Sequence, residues 1–130
     1  MPVIANAEAR EIPWRPGYRS FILAGEAEGL RCVVSQAVLE PGAGAPLHLH
    51  AEADEVLMVL EGCLDVRLGE ERRLVGAGHT IAVPAGTPHA FTATGPGPAR
   101  FVAFLPKLGV FLGTTYLEGE PPTGVGQRDG

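Results

Sequence analysis

Two closely spaced histidines with three acids behind them carry most of the chemical potential of this 130-residue chain. His48 and His50 stand one residue apart in "PLHLHAEADEVLMVLEG", followed by Glu52, Asp54 and Glu55. Side chains of a β-strand alternate faces with period two, so both imidazoles of "APLHLH" point to one side, and Leu47 and Leu49 to the other. Two imidazoles so placed can reach one cation at about 2.0–2.2 Å. Glu55 follows a four-residue loop and opens the next apolar run, where an antiparallel return brings its carboxylate back beside the histidines. His89, in "PAGTPHAF", enters a strand directly after a Pro/Gly turn and is the natural candidate for a fourth ligand. Three imidazoles and one carboxylate, with no thiolate, suit borderline divalent ions: Fe, Mn, Co, Ni, Cu or Zn. Glu52 and Asp54 sit in the connecting loop as solvated acids, and His79, straight after the turn glycine Gly78, reads as a rim residue.

The elements that position these groups read as strands. The composition is 45% apolar with 18 Gly and 12 Pro, and turn residues punctuate the chain about every eight to twelve residues, the spacing of an all-β protein. "RSFILAG", "LRCVVSQAVLEPG", "APLHLH", "EVLMVLEG", "CLDVRLGEE", "RRLVGAG", "HTIAVPAG", "PHAFTAT" and "ARFVAFLP" are bounded by Gly, Pro or acidic turns and predict about eight strands. "EVLMVLEG" is apolar enough for a buried helical turn, but its acidic entry and the Glu61-Gly62 exit favour a strand. "PKLGVFL" is a candidate helical turn. Residues 1–20, with four prolines or glycines around Trp14, read as an N-terminal arm, residues 21–112 as the barrel, and residues 113–130 as a C-terminal tail of frayed composition.

Bulk properties exclude some classes. A net charge of −5 without a basic run removes the footprint that nucleic acid or an anionic membrane requires. No apolar run has the length of a membrane span and the first residues lack a signal-peptide pattern, so the expectation is a cytoplasmic protein. A single domain of this length builds a core without staples, so a metal here would serve function before stability. Cys32 and Cys63 lie apart in apolar surroundings and read as buried free thiols.

The same residues resemble the two motifs of the cupin superfamily. The first is a glycine, five residues, His-x-His, three or four residues, Glu, six residues and Gly; Gly42, His48, His50, Glu55 and Gly62 fill every position. The second is a glycine, five residues, Pro-x-Gly, two residues, His, three residues and Asn; Gly78, Pro84, Gly86 and His89 fit, while Ala93 replaces the Asn. Fifteen residues, Cys63 to Ala77, separate the motifs, similar to compact single-domain bacterial members. The stretch from Ala85 to Pro106 also resembles quercetinase-like small cupins, more loosely.

The resemblance implies a conical antiparallel barrel or jelly roll, the double-stranded β-helix, with one divalent ion, iron foremost, held near one end by His48, His50, Glu55 and His89. It also implies a homodimer. Within the family such sites serve dioxygenases, decarboxylases, sugar-phosphate isomerases and plain binding proteins, so fold and ligands do not choose the reaction. Residues in phase with the ligands, Leu57, Val59 and Phe91, should point inward and form an apolar substrate pocket. No Lys, Arg or Tyr is in phase on those two strands to clamp a phosphate or carboxylate. The expected function is therefore a metal-dependent dioxygenase acting on a small, largely apolar or aromatic substrate that chelates through oxygen, with Glu55 doubling as a base. The alternatives are a non-catalytic small-ligand binder or sensor, and an oxygen-independent isomerase or cyclase.

Overall fold

The computed structural model describes residues 2–125. Eleven strands follow in chain order: β1 (Arg10–Arg15), β2 (Tyr18–Ala24), β3 (Val33–Leu39), β4 (Gly44–His50), β5 (Glu55–Glu61), β6 (Cys63–Leu68), β7 (Glu71–Gly76), β8 (His79–Val83), β9 (His89–Thr94), β10 (Ala99–Leu105) and β11 (Thr114–Tyr116). The helical pieces are short 3-10 turns, among them Asn6–Glu8 and Glu26–Glu28. None of these is long and apolar enough to cross a membrane.

Two antiparallel sheets make up the fold. One has the order β1-β2-β3-β10-β5-β8 and the other β11-β4-β9-β6-β7. The nine apolar runs of the sequence become β2 to β10, because their alternation gives each strand one buried face. β3 alternates strictly between buried and half-buried, and β5 buries Glu55, Leu57 and Val59. Ile12, Leu39, Leu57, Leu64, Phe101 and Leu105 fill the space between the sheets. Connected motifs end in different sheets: β4 and β9, which carry three histidines, pair in one, and β5, which carries Glu55, lies in the other. The site thus forms across the sandwich, where the two inner faces meet.

The β4–β9 pairing is irregular between Ala45 and His48, and that irregularity sets His48 directly opposite His89. Gly44 permits it, since a Cβ there would overlap the Phe91 carbonyl of β9. At the other end of β5, Gly62 adopts φ +77° in the turn to β6, a conformation that disfavours side chains.

The termini differ from the expected arm and tail. Arg10–Arg15 is a full edge strand, and Pro13 is tolerated because an edge position leaves one side of the backbone unpaired. Trp14, in the middle of the expected arm, is buried against Phe111 at 5.4 Å and Tyr18 at 6.4 Å. Thr114–Tyr116 extends the smaller sheet along β4, and Leu117 and Glu118 then donate to the Leu47 carbonyl. Beyond that, Thr123 donates through its backbone N–H and its hydroxyl to the Trp14 carbonyl, and Gly124 sits against Pro13. Residues 113–125 are therefore packed rather than frayed; the remainder of the expected tail, 126–130, lies outside the described residues. "PKLGVFL" forms bends that lead into a single helical turn, closed by Gly113 N–H to the Gly109 carbonyl at 3.4 Å, and no helix continues from it. Cys32 and Cys63 are free and half-buried rather than buried.

Candidate metal centre

His48, His50, Glu55 and His89 converge, with one ligand atom from each lying within 4.8 Å of all the others. All four are buried, between 2% and 5% exposed. The alternation expected from the sequence is what delivers them: His48 and His50 share the inward face of β4, Glu55 opens β5, and His89 opens β9.

Each imidazole is held from behind by its outer nitrogen. His48 Nδ1 donates to the Pro46 carbonyl at 2.6 Å, and His89 Nδ1 to the Thr87 carbonyl at 2.9 Å. A carbonyl can only accept, so both Nδ1 atoms carry the proton and both Nε2 atoms are left to face the centre. His50 Nδ1 meets the Thr114 hydroxyl at 2.8 Å, and that hydroxyl donates its single proton to the Val110 carbonyl at 2.9 Å. Thr114 must therefore accept from His50, which fixes the same tautomer. Such outer hydrogen bonds orient metal-bound histidines and raise their basicity.

The inner atoms fit an ion better than one another. Glu55 Oε1 lies 3.2 Å from His89 Nε2 and 3.3 Å from His50 Nε2, and the latter is a buried polar atom without a hydrogen-bond partner. Adjacent ligands at about 2.1 Å from a common ion stand roughly 3.0–3.4 Å apart, between octahedral and tetrahedral angles. Burial, followed by the neighbouring His89, holds His48 down to about 4, against the raising influence of the Pro46 carbonyl. Burial pushes the Glu55 carboxyl up, but contacts with His50 and His89 outweigh it and keep the group well below the usual carboxylate range. At neutral pH the set therefore offers a carboxylate and, at His48, a neutral imidazole, as a divalent cation requires.

A cavity of about 20 Å³, room for roughly one water, adjoins His48 and Glu55. Leu57 and Phe91 border it as expected from their phase; Val59 is buried but is not part of its lining. The rest of the wall was missed by reading the sequence: Trp14, Arg15 and Tyr18 from the N-terminal strands, Phe111, and Tyr116 of β11. The Tyr116 ring stacks on His48 at 5.4 Å, and the Arg15 guanidinium lies over Tyr116 at 5.4 Å. The lack of a cationic side chain, true of β5 and β9, thus does not hold for the cavity as a whole. A wider groove of about 320 Å³ borders His50 from the side of the β4–β5 loop, where Glu52 pairs with Lys107 at 3.5 Å. Asp54 is exposed and accepts from the Ala85 N–H at 2.8 Å, and His79 is exposed at the rim, so neither joins the ligand set.

Two packed antiparallel sheets with a buried set of three imidazoles and a carboxylate at their junction define a jelly roll with a site suited to a divalent metal. The cupin domain family model matches residues 35–105, more than half of the chain, and the chain belongs to that family. Over 50 residues it is 42% identical to quercetin 2,3-dioxygenase of Bacillus subtilis; the match covers 38% of this chain and only 15% of that enzyme's length. Among solved structures, a sugar phosphate isomerase of the cupin superfamily from Silicibacter pomeroyi is similar with a TM-score of 0.72 and 29% identity, over 82% of this chain and 76% of the other. The polyketide cyclase RemF from Streptomyces resistomycificus shares the fold with a TM-score of 0.76 and 21% identity, over 92% and 87% of the two chains.

The Thr114 contact has a measurable consequence. Thr114→Val keeps the shape of the side chain but removes the acceptor that holds His50, and metal affinity is expected to fall about 10- to 100-fold. Competition against a chromophoric chelator measures it, with Thr114→Ser retaining affinity as the control. Unchanged affinity in Thr114→Val would mean that packing alone orients His50.

Proposed function

We propose that this protein is a metal-dependent cupin enzyme of dioxygenase type, acting on a small, largely apolar or aromatic substrate that chelates the ion through oxygen. The observation that supports it most is the buried, pre-oriented set of His48, His50, Glu55 and His89 beside an aromatic-walled cavity. Four protein ligands on a six-coordinate ion leave two positions, the arrangement of a catalytic rather than a structural site. Iron suits this reading best, and Mn, Co, Ni, Cu or Zn suit the same donors. When bound, the ion would supply a Lewis-acidic and redox-capable centre for substrate and dioxygen.

The chain's own residues have separable roles in this reading. The three imidazoles hold their Nε2 atoms in place through their outer hydrogen bonds. Glu55, the one ligand able to accept a substrate proton, serves as the base at its carboxylate oxygen. Leu57 and Phe91, with Val59 behind them, form the apolar pocket and keep water from the substrate carbon skeleton.

Iron-loaded protein should consume oxygen in the presence of at least one member of a panel of flavonols, catechols, diketones and thiols. Silence across the panel with tight retention of one compound would replace the enzyme by a binding or sensing protein. The likeness to an isomerase and a cyclase supports a second reading, an oxygen-independent isomerase or cyclase. Product formed under anaerobic conditions would favour it.

The functional unit in this proposal is a homodimer. Met58, Leu60 and Phe104, 38–45% exposed, lie on the outward faces of the paired strands β5 and β10, where a second copy can cover them. Sedimentation at micromolar concentration should give twice the chain mass, and a monomer contradicts the proposal.

A further inference from the structure

Arg15 is the cationic side chain bordering the cavity beside the metal ligands, and its surroundings are those of a recognition group rather than a surface ion pair. It ends β1, where the pairing with β2 shifts register between Ile12 and Arg15. Such an irregularity re-aims side chains, and here consecutive residues, Trp14 and Arg15, both border the same cavity instead of opposite faces. Four other arginines, Arg19, Arg67, Arg72 and Arg100, pair with carboxylates of the surface. Among the described residues Arg15 has no carboxylate within ion-pair distance. One of its terminal nitrogens donates to the Glu120 carbonyl at 2.7 Å, its guanidinium packs on Tyr116, and its Nε is buried without any partner.

An unpaired buried donor on a charged group is costly, and native structures keep few of them. Here the orphan donor belongs to a residue that lines the same cavity as His48, and both pack on the ring of Tyr116. We infer that Arg15 reads an anionic oxygen of the substrate. The substrate class is then an organic acid or equivalent anion of the small, largely apolar or aromatic kind proposed above, which coordinates the ion through one oxygen and presents a second, charged oxygen to Arg15. This deepens the proposed function and rests on the metal centre described above. Guanidinium groups suit the task because their donors match a carboxylate in a fixed planar geometry. The cavity has room for about one water, so an organic acid enters only as its wall yields, and Arg15 and Tyr116, both half-exposed, are where it can.

The test uses the full chain loaded with Co(II), whose visible spectrum reports ligands entering its coordination sphere, and two probes of one shape, pyruvate and the uncharged pyruvamide. Wild-type protein should bind pyruvate more tightly than pyruvamide. Arg15→Gln should weaken pyruvate about 10- to 100-fold and leave pyruvamide within about twofold, while retaining one Co(II) per chain. In a measurement that needs no variant, pyruvate should protect Arg15 of the wild-type protein from phenylglyoxal, read by peptide mass, and pyruvamide should not. Pyruvate affinity unchanged in Arg15→Gln, equal weakening of both probes, or no protection of Arg15 would overturn the assignment. Failure of wild-type protein to take up Co(II) would overturn the metal centre itself, and with it this inference. If Co(II) binds but neither probe enters its spectrum, the metal centre stands and the anion assignment falls.

Discussion

Replacing His48 and Glu55 together by alanine is expected to reduce bound divalent metal from one ion per chain to almost none. Two of four ligands go, and they come from opposite sheets, so the remaining pair, His50 and His89, cannot enclose an ion. Two imidazoles without a carboxylate also lose the charge that offsets desolvation of a divalent cation in a buried site. The variant should still fold, because the apolar core between the sheets, Ile12, Leu39, Leu57, Leu64, Phe101 and Leu105 among it, does not depend on these two side chains. Its melting temperature should be insensitive to added metal. Elemental analysis after dialysis measures the content, and unchanged stoichiometry in the double variant would remove these residues from any metal site.

The second large effect concerns the wild-type protein. An ion that binds only the folded state stabilises it by about 4 kcal/mol when its free concentration is roughly a thousand times the dissociation constant. For a domain of this size that corresponds to a rise in melting temperature of roughly 10–20 °C. The core between the sheets does not depend on the ion, so chelated protein should melt cooperatively at the lower temperature. Equal melting temperatures for chelated and metal-saturated protein would show that the four residues hold nothing in the folded state.

The convergence of the four candidate ligands was legible in the sequence because each obeys a local rule. The one-residue spacing of His48 and His50 needs only strand alternation to put both on the inner face, and Glu55 and His89 each open a strand directly after a turn. The segregation of the acids was legible for the same reason: Glu52 and Asp54 fall in the loop, and there they stay in solvent, one on Lys107 and one on the Ala85 N–H. The cavity wall was not legible. Trp14 and Arg15 lie in a segment whose prolines suggest an arm, yet Pro13 is compatible with an edge strand. Thr114 and Tyr116 lie in a strand of three residues, too short to show a period. β11 reaches the site only through a pairing far apart in sequence, Tyr116 with His48, and β1, a hairpin partner of β2, is tied to the C-terminal segment by Thr123 on Trp14; no local pattern encodes either long-range contact. Chemistry confined to β5 and β9 accordingly looked wholly apolar, whereas the folded cavity contains a guanidinium and two phenols.

That division bears on function. The candidate ion site is built on β4, β5 and β9, within the part of the chain that matches the family, whereas the residues that would discriminate among substrates come largely from the terminal segments, β1 and the stretch after β10. A fold shared with an isomerase and a cyclase is then compatible with different chemistry here, because reaction and substrate follow from the wall more than from the ligands.

The most direct test of the central claim is a crystal structure of the metal-loaded protein with anomalous data at the absorption edge of the bound metal. A single peak is expected about 2.0–2.2 Å from Nε2 of His48, His50 and His89 and from a carboxylate oxygen of Glu55. A peak elsewhere, or none at this cluster in protein shown to contain the ion, would contradict the account.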